Sequence, residues 1–194
     1  MSLWMPSIEV ETAQGTREVN LKTHHLMRRR IFLDGEINRE SAGEFLEQIL
    51  YLEESEEPIQ ILIQSPGGEV NAGLLIYDAI TSCKAPVSLY CTGLAASMAA
   101  VILAGGEKGR RFILPHSKVM IHEPLIANGV GGSATSIRNI SDSILETREI
   151  CNGILAKHTG KTIEEINEAT AFDHYMNAKE AVDFGLCDAV VTHI

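Results

Sequence analysis

Two short apolar runs, each breaking at a glycine-bearing turn and passing into an apolar helix, constrain this chain more than any other feature. The first is Ile59-Gln60-Ile61-Leu62-Ile63, which breaks at Ser65-Pro66-Gly67-Gly68 and leads into a helix from about Val70 to Ser82. The second is a strand from Val87 to Cys91, a turn at Thr92-Gly93 and a helix from Ala95 to Gly105. A strand-turn-helix unit that repeats points to parallel strands joined by right-handed crossovers, hence an α/β fold. With 194 residues and 45% hydrophobic content, the chain can fill one core but not two.

Around these units the remaining pattern is consistent with a single domain over residues 23–194. Residues 1–22 are polar and weakly periodic and read as an N-terminal arm that orders against a partner. Ile31-Phe32-Leu33 is a short strand, and Asn38 can cap a helix reaching about Glu54. Two further strands, Arg111 to Leu114 and Lys118 to Ile121, flank Pro115-His116-Ser117. After a glycine-rich stretch, an amphipathic helix runs from Ser133 to roughly His158, long enough to project from so small a domain. Thr162 and Asn177 each open a short helix with a capping box, and Ala189 to Thr192 closes the sheet.

Ligands of parallel α/β sheets gather outside the carboxyl ends of strands, and four chemically useful groups fall there. Ser97, at the start of a helix in Gly93-Leu94-Ala95-Ala96-Ser97-Met98-Ala99-Ala100, reads either as a packed N-cap or as a nucleophile whose neighbouring Met98 amide serves an oxyanion. Gly67 and Gly68 permit positive φ, so the Gly68 amide can aim at the same point; read blandly, Ser-Pro-Gly-Gly is a tight turn. His122 ends a strand before Glu123-Pro124, a place suited to a general base and equally to a hydrogen-bonded surface imidazole.

Composition excludes several alternatives. A net charge of −10 disfavours nucleic acid as a partner. Cys83, Cys91, Cys151 and Cys187 lack C-x-x-C spacing and sit in apolar segments, as expected of reduced thiols in a cytoplasmic protein. The seven histidines form no H-E-x-x-H pattern, and no metal or other cofactor is expected. No secretory signal is expected at the start, and the longest apolar stretch, Gly93 to Gly106, is shorter than the ~20 residues a membrane span needs.

Taken together, Ser65-Pro66-Gly67-Gly68, Gly93 to Ala99, Gly105-Gly106-Glu107-Lys108-Gly109-Arg110-Arg111-Phe112, Leu114-Pro115-His116-Ser117, Met120 to Leu125, His158-Thr159-Gly160 and Glu180 to Asp188 resemble, in order and spacing, the proteolytic subunit family of the ATP-dependent Clp proteases (ClpP). The resemblance implies a crotonase-like α/β fold with a projecting handle helix, the handle spanning about 124–158. It also implies stacked heptameric rings forming a tetradecamer, axial loops from residues 1–22 facing an AAA+ unfoldase, and hydrolysis of unfolded proteins to peptides. In the family's terms Ser97 is the nucleophile, His122 the general base, and the Gly68 and Met98 amides the oxyanion hole.

Departures from the pattern set further expectations. The family's triad aspartate is sought in an Arg-Asp-Thr-x-x-Asp stretch, which here reads Glu168-Ala169-Thr170-Ala171-Phe172-Asp173. On that alignment Ala169 replaces the carboxylate, activity is lowered, and Asp173, Thr170 or a water is left to orient His122. Gln60 and Leu62 stand at aromatic positions of the family's unfoldase-docking pocket, and Ser133 at its handle glutamine. Two alternatives follow: a structural ring paralogue acting in a hetero-oligomer with a second ClpP subunit, and, more remotely, a crotonase-type acyl-CoA enzyme.

Overall fold

The computed structural model describes residues 6–12, 15–126, 129 and 131–194. Met1 to Met5, Ala13 and Gln14 of the expected arm, and Ala127, Asn128 and Val130 of the expected handle entry, lie outside the described residues. Within the arm, strands β1 (Ser7–Thr12) and β2 (Gly15–Asn20) pair antiparallel as a hairpin separate from the main sheet. The short helix α1 (Leu21–Met27), capped by Asn20, leads from the hairpin into the body.

The body is built on a seven-stranded sheet. β3 (Arg30–Asp34) is followed by α2 (Arg39–Leu52), which Asn38 starts with a capping box. β4 (Ile59–Ser65) leads to α3 (Val70–Ser82), and β5 (Val87–Ala96) to α4 (Met98–Ala104). Short strands β6 (Arg111–Ile113) and β7 (Lys118–Ile121) precede the long helix α5 (Ala134–Thr159). Helix α6 (Ile163–Thr170), strand β8 (His174–Asn177), helix α7 (Ala178–Phe184) and strand β9 (Ala189–Val190) complete the chain. The sheet order is β3-β4-β5-β6-β9, with β7 beside β5 and β8 beside β7. Every pairing in it is parallel except β7 with β8. Ile31, Ile61, Ile63, Leu89 and Ile113 are buried along it, and α2, α3 and α4 close the core with Phe45, Ile49, Ile76, Ile102 and Leu103.

Strand β5 departs from the expected turn at Thr92-Gly93. It continues to Ala96, and its register against β4 shifts, from Ile63 opposite Cys91 to Ser65 opposite Ala95. The extra β5 residues form a bulge tied to β4 by side chains: the Leu94 amide of the bulge donates to Gln64 Oε1 (3.0 Å), and Thr92 Oγ1 donates to the β4 carbonyl of Ile63 (3.1 Å). A Cβ on Gly93 would stand 1.9 Å from Gln64 Oε1, so a larger residue there would displace the Gln64 side chain from the bulge. The bulge also divides one edge of β5 between two neighbours, β6 along Leu89–Cys91 and β7 along Leu94–Ala96.

At the far side of the sheet a buried ion pair ties four segments together. Arg111 Nη2 lies 2.6 Å from Asp188 Oδ1, and its Nη1 donates to the carbonyls of Ala104, His158 and Gly185. Burial works against the Asp188 charge, but hydrogen bonds from the Arg111 side chain and backbone and from Gly109 outweigh it and hold the carboxyl below its ordinary pKa. A depressed folded-state pKa makes this contribution complete above the ordinary aspartate range, and it is lost as pH falls through the folded value. Asp188→Asn is therefore expected to lower stability by about 3 kcal/mol at neutral pH, and by less as the pH drops below about 4, as read by thermal unfolding across a pH series.

Candidate active site

The β5 bulge brings the ends of β5 and β7 side by side. Ala96 pairs with Met120, and the Ser97 amide donates to the Met120 carbonyl at 2.8 Å. Ser97 itself makes the strand-to-helix turn, with φ 54° and ψ −124°, a conformation that non-glycine residues rarely adopt. Its side chain makes no capping bond to α4. The hydroxyl instead meets His122, two residues past Met120, with Oγ 2.9 Å from Nε2. The N-cap role open to Ser97 in the sequence is thus confined to its backbone, whose carbonyl accepts from Ala100 and Val101.

On the other side of the imidazole, His122 Nδ1 lies 3.1 Å from Asp173 Oδ1. The antiparallel pairing of β7 with β8 accounts for this contact. Lys118 faces Asn177, and the register runs to Ile121 opposite His174, so the next position sets His122 against Asp173. Of the side chains left to orient His122 once Ala169 replaces the expected carboxylate, Asp173 is the one within reach. Ala169 sits on α6, partly buried against the core, whereas Asp173 arrives from the entry to β8. Thr170 is also removed as an orienting group: its hydroxyl is buried, donates to the Ile166 carbonyl at 2.8 Å and accepts from Asn152 Nδ2 at 3.2 Å. The sequence reading missed β8, four residues between two helices, and with it the register that identifies Asp173. The signal present was the alternation of exposed Tyr175 and buried Met176.

The Ser65–Gly68 turn faces the same hydroxyl. A Cβ on Gly67 would stand 2.7 Å from Ser97 Cβ and 3.0 Å from the Met98 nitrogen, so the missing side chain is the space between the two turns. Gly68 bridges to Ile37 and takes φ 152°; a Cβ there would lie 2.0 Å from the Ile37 carbonyl oxygen. Among the described residues, neither the Gly68 nor the Met98 amide has an acceptor in the turn, loop and cap hydrogen bonds. Met98 begins α4, where first-turn amides have no partner inside the helix.

In this arrangement an imidazole protonated at Nδ1 donates to Asp173 and accepts the Ser97 proton at Nε2, the relation that activates a serine for attack on a carbonyl. A cleft of about 600 Å³ opens beside the site, between the residues that follow Gly68 and those that follow His122. It is lined by Val70, Leu125, Ile126, Ile140 and Ile144 among others. Among the described residues no helix is long and apolar enough to cross a membrane.

A family model described as Clp protease matches residues 13–194. That span takes in the hairpin strand β2, the whole parallel sheet, both glycine turns, the long helix and all three of Ser97, His122 and Asp173. The α/β architecture agrees with it, and the chain belongs to the Clp protease family.

Proposed function

We propose that this chain is the serine endopeptidase subunit of a self-compartmentalised, ATPase-assisted protease that cuts unfolded proteins into peptides. The observation that carries the proposal is the unbroken hydrogen-bonded line from Ser97 through His122 to Asp173. Ser97 Oγ attacks the scissile carbonyl while His122 Nε2 takes its proton, and the Asp173 carboxylate stabilises the imidazolium that results. The Gly68 and Met98 amides receive the negative charge that develops on the carbonyl oxygen. His122 then returns the proton to the leaving amine, and water, activated by the same imidazole, releases the acyl group from Ser97. No cofactor enters these steps.

The neighbouring cleft accepts an apolar side chain beside the scissile bond, since Val70, Leu125, Ile126, Ile140 and Ile144 supply its walls. Membership of the family supports assembly into heptameric rings stacked as a tetradecamer, homo-oligomeric or shared with a second ClpP subunit, served by an AAA+ unfoldase in the cytoplasm. The test is modification of the assembled protein by a serine-directed fluorophosphonate, with hydrolysis of fluorogenic peptides. Label on Ser97 and faster cleavage after an aliphatic residue than after aspartate are expected. Absence of both label and cleavage refutes the reading.

A further inference from the structure

We propose that Arg148, on the long helix, is a positioning residue for the His122–Asp173 pair and acts through Glu123. The inference rests on the peptidase reading above and adds to it how the proton-transfer pair is held.

Asp173 needs outside support. Its side chain is 59% exposed, and among the described residues its ion pair with His122 is its one side-chain contact of this kind. What fixes the 3.1 Å separation must therefore lie in the two chain segments that carry these residues, which the β7–β8 ladder joins as far as Ile121 opposite His174 and a further bond joins beyond it. The Glu123 amide donates to the Thr170 carbonyl at 2.8 Å, three residues before Asp173 and one after His122.

Helix α5 clamps both segments from one face. Arg148 and Asn152 are one turn apart on it. Arg148 Nε lies 2.9 Å from Glu123 Oε2. That nitrogen is buried and has no other partner among the described residues, and its N–H is turned off the line of a hydrogen bond, so the contact is an ion pair. Asn152 is buried, and its Nδ2 donates to Asn167 Oδ1 at 2.7 Å and to Thr170 Oγ1 at 3.2 Å. One helical turn thus grips the residue next to His122 and the end of α6 leading to Asp173. Of the described residues between His122 and α5, Leu125 and Ile126 are exposed.

Although the Arg148 nitrogen is buried, the two side chains are 34% and 44% exposed and such a pair adds little to global stability, so the proposal separates from a merely structural role. Misalignment of reacting groups does cost rate, by about a hundredfold for displacements near 1 Å. Arg148→Met is expected to lower kcat for a short fluorogenic peptide by about tenfold, with KM unchanged within about twofold and the melting temperature nearly unchanged. Arg148→Lys keeps most of the rate. Exchanging the charges, with Glu123→Arg and Arg148→Glu together, recovers activity that each reversal alone loses. A crystal structure of the Arg148→Met protein supplies a readout independent of activity, with the His122 Nδ1 to Asp173 Oδ1 separation expected to exceed about 3.5 Å. Wild-type kcat in Arg148→Met, a double reversal no better than the single ones, or an intact 3.1 Å contact in the variant overturns the proposal. A wild-type protein that hydrolyses nothing and takes no label refutes the peptidase reading instead, and the crystallographic separation then still decides whether Arg148 holds the pair.

Discussion

Peptide hydrolysis by the Ser97→Ala protein falls on the order of 10⁶-fold in kcat, the loss seen when a nucleophile is removed from a serine triad acting as a unit. The expectation follows from where the hydroxyl sits: 2.9 Å from the imidazole, against the side-chain-free Gly67, and at the first residue of the turn into α4. Alanine leaves the Gly68 and Met98 amides and the cleft in place, so binding and charge stabilisation survive and a residual rate above that in water remains. Labelling by the fluorophosphonate disappears in the same variant. A Ser97→Ala protein that cleaves peptides at the wild-type rate would show that another group attacks the carbonyl.

The second large effect belongs to Asp173, and it separates the structure's assignment from the one drawn by motif alignment. Asp173→Asn keeps the shape of the side chain but removes the charge that faces the imidazolium and reverses the tautomer preference at Nδ1. The expected fall in kcat is about 10⁴-fold, equivalent to about 5.5 kcal/mol of barrier. Adding aspartate at Ala169 in that background restores nothing, because position 169 lies on α6 against the core and not opposite His122. If instead the family pattern had marked the working position, Asp173→Asn would leave kcat within a few-fold of wild type. Initial rates of the two variants at one pH settle the matter.

The difference between these assignments shows what was legible in the sequence. Strand β4 announces itself as a β-branched run and β3 and the first part of β5 as short apolar runs, and the helices begin at Asn38, Val70, Ser133, Thr162 and Asn177 through capping or turn chemistry that acts within a few residues. Ser97, His122 and the two glycine turns were readable for the same local reason. Asp173 stood only as one of three candidates to orient His122, because its placement depends on a pairing register between segments some fifty residues apart, and no local pattern fixes a register for a four-residue strand. Thr92-Gly93 misled in the opposite direction. Turn-forming residues sit there, yet the chain stays extended, held to the neighbouring strand by the Gln64 side chain on the Leu94 amide and by the Thr92 hydroxyl on the Ile63 carbonyl. The N-terminal hairpin was hidden by its polar composition: among the described residues its strands pair with each other, and α1 after them buries no residue.

The backbone of Ser97 has a bearing on how such a chain persists over evolutionary time. A φ of 54° with ψ −124° is relaxed for glycine and costs a residue with a Cβ about 1–3 kcal/mol. Selection for robustness by itself would drift this position toward glycine, so a lineage that had given up chemistry would have an easy stabilising step open to it. A hydroxyl kept at a backbone position that suits glycine better is what continued use predicts, and a collection of related chains sorted by the residue found there would separate working subunits from retired ones.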